Sequence, residues 1–191
     1  MHKLISFIVM ISISFMVGCY DSTKFDHDDV AANVRGEEIT VGDVRFFMEV
    51  EDEGLPDKIE TFVEETLIIQ EAKEMDIDVM KEVELAVETH SLFPFQDEEE
   101  VLEDSRDFMK KERDFAEAQA DRFDMEPKEY YKEYIKKGAV RQAYIYGFFD
   151  EHMGDHSPET EEDVEKINEK YQLLLNELLE ENDDEIEILI K

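Results

Sequence analysis

The chain has 191 residues, with 53 Asp and Glu against 20 Lys and Arg, and a formal charge of -33. So large an acidic excess favours solubility and excludes nucleic acid as a partner, because that binding needs cations to displace counterions. Hydrophobic residues at 42%, with only 7 Gly and 4 Pro, exclude a wholly disordered chain and favour long helices around one core.

His2 and Lys3 form a short basic start, and Leu4 to Val17 is apolar apart from Ser6, Ser12 and Ser14. The run falls short of the ~20 residues that cross a bilayer. It reads as a secretory signal peptide over residues 1–18. It ends in Met16-Val17-Gly18-Cys19. This resembles the bacterial lipobox, in which a small residue precedes a Cys that receives a diacylglyceryl group; Met16 and Val17 depart from its usual residues. Cys19 is the only cysteine, so no disulfide framework exists within one chain. The expectation is lipid attachment at Cys19, on the outer side of a bacterial cell membrane. Each buried CH₂ of such a lipid contributes ~0.8 kcal/mol, and two chains hold stably. Residues 19–29, polar and acidic, form a tether, and 30–191 the body.

The body opens with Ala31 to Phe47, which reads as strand, turn at Arg35-Gly36, strand, and helix start. Thr40 with Asp43 three residues on forms a capping box for that helix. A hairpin alone is marginal in water, so another strand should complete it. Glu185 to Lys191 supplies the period: Ile186, Ile188 and Ile190 alternate with Glu187 and Leu189. The fold class expected is mainly α, about six helices with a small sheet of N-terminal hairpin and C-terminal strand.

Between these ends the spacing predicts helices. Val41 to Val50 places Val44, Phe47 and Met48 on one side, and Gly54-Leu55-Pro56 breaks it. Asp57 caps Lys58 to Met75, where Ile59, Phe62, Val63, Leu67 and Ala72 follow a helical period. Asp78 caps a helix from Val79 to about Leu92, with Val83 and Val87 inward, and Pro94 ends it. Phe93-Pro94-Phe95 reads as extended. The acids from Asp97 to Asp104 open a helix to about Asp124, marked by Val101, Phe108, Phe115 and Phe123. Pro127 starts an aromatic-rich helix to about His152, and Pro158 another to about Glu181. From Arg106 to Arg141 there are 10 basic and 9 acidic residues, so the excess acid sits towards the ends.

No catalytic signal stands out. The chain has no Gly-rich phosphate loop, nucleophile elbow or triad spacing. His152 and His156 have the spacing of a zinc pair, but Gly154 lies between them, and a His beside a helix C-terminus is the simpler reading. Asp97 to Glu100 lacks the Gly of a calcium loop and reads as a solvated helix start. No metal, cofactor or catalytic residue is expected. The aromatics serve a core or an apolar cradle for unfolded chains. Phe46, Phe47, Phe93, Phe95, Tyr144, Phe148 and Phe149 hold more ring surface than one buried stripe can face, and are the candidate peptide-binding residues.

The order of these features resembles the chaperone domain of SurA/PrsA-type extracytoplasmic foldases. The opening VAANVRGEEITVGDVRFF is similar to that family's start, with Arg35 in place of the usual Asn. Phe62 to Val79 resembles its second helix, and Met125 to Tyr144 a later one. The closing helix and EIEILIK resemble its return to the hairpin. The resemblance implies a holdase or foldase for unfolded or nascent secreted polypeptides, anchored to the membrane, as monomer or homodimer. Many members carry a parvulin prolyl isomerase before the final helix. Gly154 to Thr160 cannot hold one, so no isomerase activity is expected. The alternative is a regulatory or interaction lipoprotein that binds one folded partner.

Overall fold

A computed structural model describes residues 24–97, 102–154 and 160–191. The signal peptide, Cys19 and the start of the tether lie outside the described residues, as do Glu98 to Val101, Asp155, His156 and Pro158.

The architecture grows from a turn. Arg35 and Gly36 have φ of 52° and 83°, the paired positive values of a type I′ turn, whose twist suits two antiparallel strands. Across it β1 (Val30–Val34) pairs with β2 (Glu37–Thr40), Val34 opposite Glu37. Arg35 is a costly residue for a left-handed position, and three contacts hold it there. Its N–H donates to Glu185 O at 2.8 Å, and its guanidinium meets Glu71 at 2.7 Å and Glu74 at 3.5 Å. On the other edge of β1 lies β3 (Ile186–Ile188), antiparallel, with Val34 opposite Ile186 and Ala32 opposite Ile188. The sheet order is β2-β1-β3. Leu189 and Ile190 both donate to Ala31 O, at 2.9 and 3.3 Å, so the pairing continues past β3. The chain is mainly helical with this small three-stranded sheet, and its two ends meet as the alternating isoleucines predicted.

Thr40 and Asp43 form the capping box of α1 (Val41–Phe47). The helix stops at Phe47, short of the predicted Val50, because Met48 turns extended. That turn brings Asp52 beside Arg45, with Nη2 and Oδ1 2.7 Å apart. A helix of seven residues leaves its last carbonyls without internal partners. Two buried side chains supply them: Gln119 Nε2 donates to Arg45 O and Tyr130 Oη to Phe46 O, both at 2.6 Å. The end of α1 is thereby fixed to elements more than 70 residues away in sequence.

Helix α2 (Leu55–Glu74) begins earlier than the predicted Lys58. Pro56 lies in its first turn, where a missing N–H costs nothing, so this proline opens the helix rather than breaking the one before. Leu55, Ile59, Phe62, Val63, Leu67 and Ala72 bury against the sheet, α1 and the later helices. Gln70 Nε2 donates to Val34 O at 3.0 Å, tying α2 to β1. Helix α3 (Met80–His90) buries Val83 and half-buries Val87; Asp78 Oδ1 accepts from Met80 N–H at its start. Phe93–Phe95 forms a 3₁₀ turn with Pro94 buried, not the extended segment predicted.

Helix α4 (Glu103–Arg122) packs the predicted markers Phe115 and, just past its end, Phe123 against the core. Met109, Ala116, Gln119 and Ala120 are buried, whereas Phe108 is 57% exposed. Small residues here let α4 approach Tyr130 and Tyr131 of α5 (Pro127–Met153). Helix α6 (Glu161–Glu181), capped by Thr160 with Asp163, buries Leu175 and Leu178. Two apolar clusters result. The larger joins the sheet, α1, α2, the end of α5, α6 and Ile190; the smaller gathers Phe46, Ala116, Ala120, Tyr130 and Tyr131.

Candidate functional site

Helix α5 is the axis on which the concave surfaces lie. It packs against α2, α3 and α4, and different sides of it face two openings. Ala139, Ala143 and Gly147 are four residues apart and form one line along the helix. Small side chains there leave a groove between α5, α3 and α6. Its volume is about 700 Å³, within the ~300–1,000 Å³ of ligand-binding clefts.

The groove is built mostly of carbon. Ile77 and Val79 come from the segment before α3 and Ala86 from α3 itself, Ile145, Tyr146, Phe149 and Met153 from α5, and Ile167 and Tyr171 from α6. Tyr171 stacks on Phe149 with ring centroids 4.1 Å apart. Burial, then Glu64 and Glu65, push the Tyr171 hydroxyl above its ordinary pKa, so it stays a neutral donor. Tyr146 is 67% exposed at the mouth. Exposed carboxylates of Asp78, Glu82 and Asp150 stand on the rim. Gly147 sets the approach of the 77–79 segment: a Cβ there would fall 2.7 Å from Ile77 Cγ2. Met153 adds an adaptable thioether to one end. The arrangement can hold an apolar chain by burial and favour cationic neighbours by charge.

The seven aromatic candidates do not share one face. Phe149 lines the groove, while Phe148 is buried in the larger cluster. Tyr144 is half-buried against that cluster, with Lys73 Nζ 5.9 Å from its ring. Phe46 and Phe47 line a second pocket on another side of α5. Phe93 packs on Phe108 at 5.7 Å and Phe95 on Tyr131 at 6.2 Å, both near the α4 helix. Of the seven aromatic candidates the groove takes Phe149; the rest of its lining, such as Ile77, Ala86, Ala139, Ala143 and Ile167, is aliphatic or small, with Tyr146 and Tyr171 as further rings. The four-residue spacing of Ala139, Ala143 and Gly147 was the available signal.

His152 Nδ1 lies 2.8 Å from Phe148 O and its ring 4.3 Å from the Phe148 ring, at the C-terminus of α5. His156, its suggested zinc companion, is outside the described residues. Among the described residues no group of three His, Cys, Asp or Glu could hold a metal, and no helix is long and apolar enough to cross a membrane. No protein-family model, no curated protein and no solved structure matches the chain.

Proposed function

We propose that the protein is a lipid-anchored, extracytoplasmic chaperone-like binder of unfolded or extended polypeptides, without prolyl isomerase activity. The observation that carries this reading is the apolar groove along α5, rimmed by Asp78, Glu82 and Asp150 on a chain of charge -33. Its occupant is an extended segment of apolar side chains flanked by Lys or Arg. Burial of each large apolar side chain contributes about 1.5–3 kcal/mol. Ordering the segment costs about 2–5 kcal/mol or more, so affinity is weak enough for release. The anchor at Cys19 would hold this groove where secreted chains emerge.

The test is suppression of aggregation of a denatured secreted protein by the purified full-length chain. Tyr146→Ser and Ala143→Asp should lower it; the exposed position of Tyr146 spares the fold. No suppression at several-fold molar excess, or suppression unaffected by both substitutions, removes this function. A second reading, a regulatory lipoprotein with one folded partner, is favoured by exposed Leu85, Leu92, Leu102 and Phe108 on α3, its end and α4. Crosslinking in cells separates the two: one dominant adduct for the partner, many client adducts for the chaperone.

A further inference from the structure

The second pocket, about 410 Å³, lies between β2, α1, α2 and α5. Its residues on α5, Glu133, Lys136, Lys137, Val140 and Arg141, repeat at three and four, on a side of the helix other than the groove line of Ala139, Ala143 and Gly147. The two sites are therefore separate.

The pocket has a floor of rings and two charged walls. Phe46, Phe47 and Phe62 form the floor, with Phe47 and Phe62 5.9 Å apart. The Arg141 guanidinium lies over Phe62 at 4.2 Å and over Phe47 at 5.3 Å, and Glu65 pairs with it. Lys137 Nζ stands 4.3 Å over the Phe46 ring. Neither Lys136 nor Lys137 forms an ion pair among the described residues. Both line the pocket beside Glu133, which lies three and four residues before them on the same helix. The other wall carries Glu37, Glu38 and Asp43. Asp43 is engaged by Thr40 in the capping box, and Glu37 accepts from Gln70 Nε2 at 2.9 Å. The Glu38 side chain is exposed and has no hydrogen bond or ion pair among the described residues.

We propose that this pocket binds an α-carboxylate that bears a large apolar side chain and a neighbouring cationic group. The carboxylate would meet Lys136 and Lys137, the apolar side chain the three rings, and the cation Glu38. The wall of like-signed acid disfavours ligands with a second negative charge. A pocket of this size admits one or two residues, so the source is a free amino acid or dipeptide, or the end of a longer chain in which a Lys or Arg before the C-terminal residue supplies the cation.

Calorimetric titration of the full-length protein tests this with phenylalanine, phenylalaninamide, N-acetylphenylalanine, and a longer peptide ending in phenylalanine with its C-terminal amide. A Lys136→Gln, Lys137→Gln double variant runs in parallel, with a thermal melt to show that two exposed substitutions leave the fold intact. The carboxylate forms should bind with Kd at or below ~1 mM. The amides and the double variant should each lose about tenfold or more, since charge-assisted bonds are the stronger kind. The N-acetyl form should bind more weakly than phenylalanine. Binding of phenylalanine alone names a free small molecule; binding of the longer peptide names a chain terminus. Equal binding of acid and amide, undiminished binding by the double variant, or no binding of any carboxylate overturns the proposal.

Discussion

One helix carries two glycines on which the same substitution should have opposite effects. Gly138 and Gly147 both lie inside α5. Replacing either by Ala removes a poor helix former and should gain about 0.8–1 kcal/mol from propensity alone. At Gly138 the new methyl meets only Phe47 Cε1 at 3.9 Å, an ordinary contact. At Gly147 it falls 2.7 Å from Ile77 Cγ2 and 3.3 Å from Cδ1. The γ-methyl of a β-branched side chain cannot swing away freely, so the segment before α3 must move. Overpacking of this sort costs about 1–3 kcal/mol. Gly138→Ala should therefore stabilise by up to ~1 kcal/mol, whereas Gly147→Ala should range from neutral to ~2 kcal/mol destabilising. Urea unfolding of both variants beside the parent, compared at equal m-value, reads the difference. Equal gains at the two positions would show that α3 does not seat against α5 as described, and the groove would lose its wall.

Three further outcomes follow from other contacts. Arg45 is 3% exposed and Asp52 21%. Asp52→Ala leaves a buried guanidinium whose remaining partner among the described residues is Phe25 O, at 2.8 Å, and should cost about 3–4 kcal/mol. Arg45→Met, although the larger change, leaves a carboxylate that keeps water and Lys24 N–H, and should cost about 1–2 kcal/mol; denaturant midpoints in the reverse order would contradict this. Ile190→Ala removes a buried side chain that closes the two chain ends and should cost about 2–3 kcal/mol, while Leu189→Ala, half exposed beside it, should cost under ~0.5 kcal/mol in the same assay. Burial, then Glu60 and Glu65, raise the Glu64 carboxyl above its ordinary 4.5. Its stabilising contribution is therefore present below 4.5 and lost as pH rises through the folded value. Glu64→Gln should raise stability at neutral pH with the gain vanishing in acid, as denaturation midpoints across pH would report.

The frame of this fold was legible because local chemistry and long-range pattern agree there. Arg35-Gly36, the Thr40–Asp43 box and the alternating isoleucines at 186–190 each use short-range rules, and each recurs in the structure. Element edges were less legible. Pro56 reads equally as a stop or as a first-turn residue, and only the packing of Leu55 decides. Part of the inward face of α4 was hidden because Ala116, Gln119 and Ala120 carry little hydrophobic signal, and Gln119 is buried to serve a carbonyl of α1. The groove was missed for a related reason. Aromatic rings advertise themselves in sequence, but most here satisfy the core, and the concavity comes from the absence of bulk at Ala86, Ala139, Ala143 and Gly147.

In the proposed function, the concave side of α5 facing α3 and α6 takes up apolar chain segments. The most direct test is a nuclear magnetic resonance titration of the labelled full-length protein with a peptide of leucines and phenylalanines flanked by lysines. Shifts should gather at Ala86, Ala139, Ala143 and Tyr146 and be reduced when Tyr146→Ser is titrated. Shifts gathered on any other surface, or none at millimolar peptide, would contradict it.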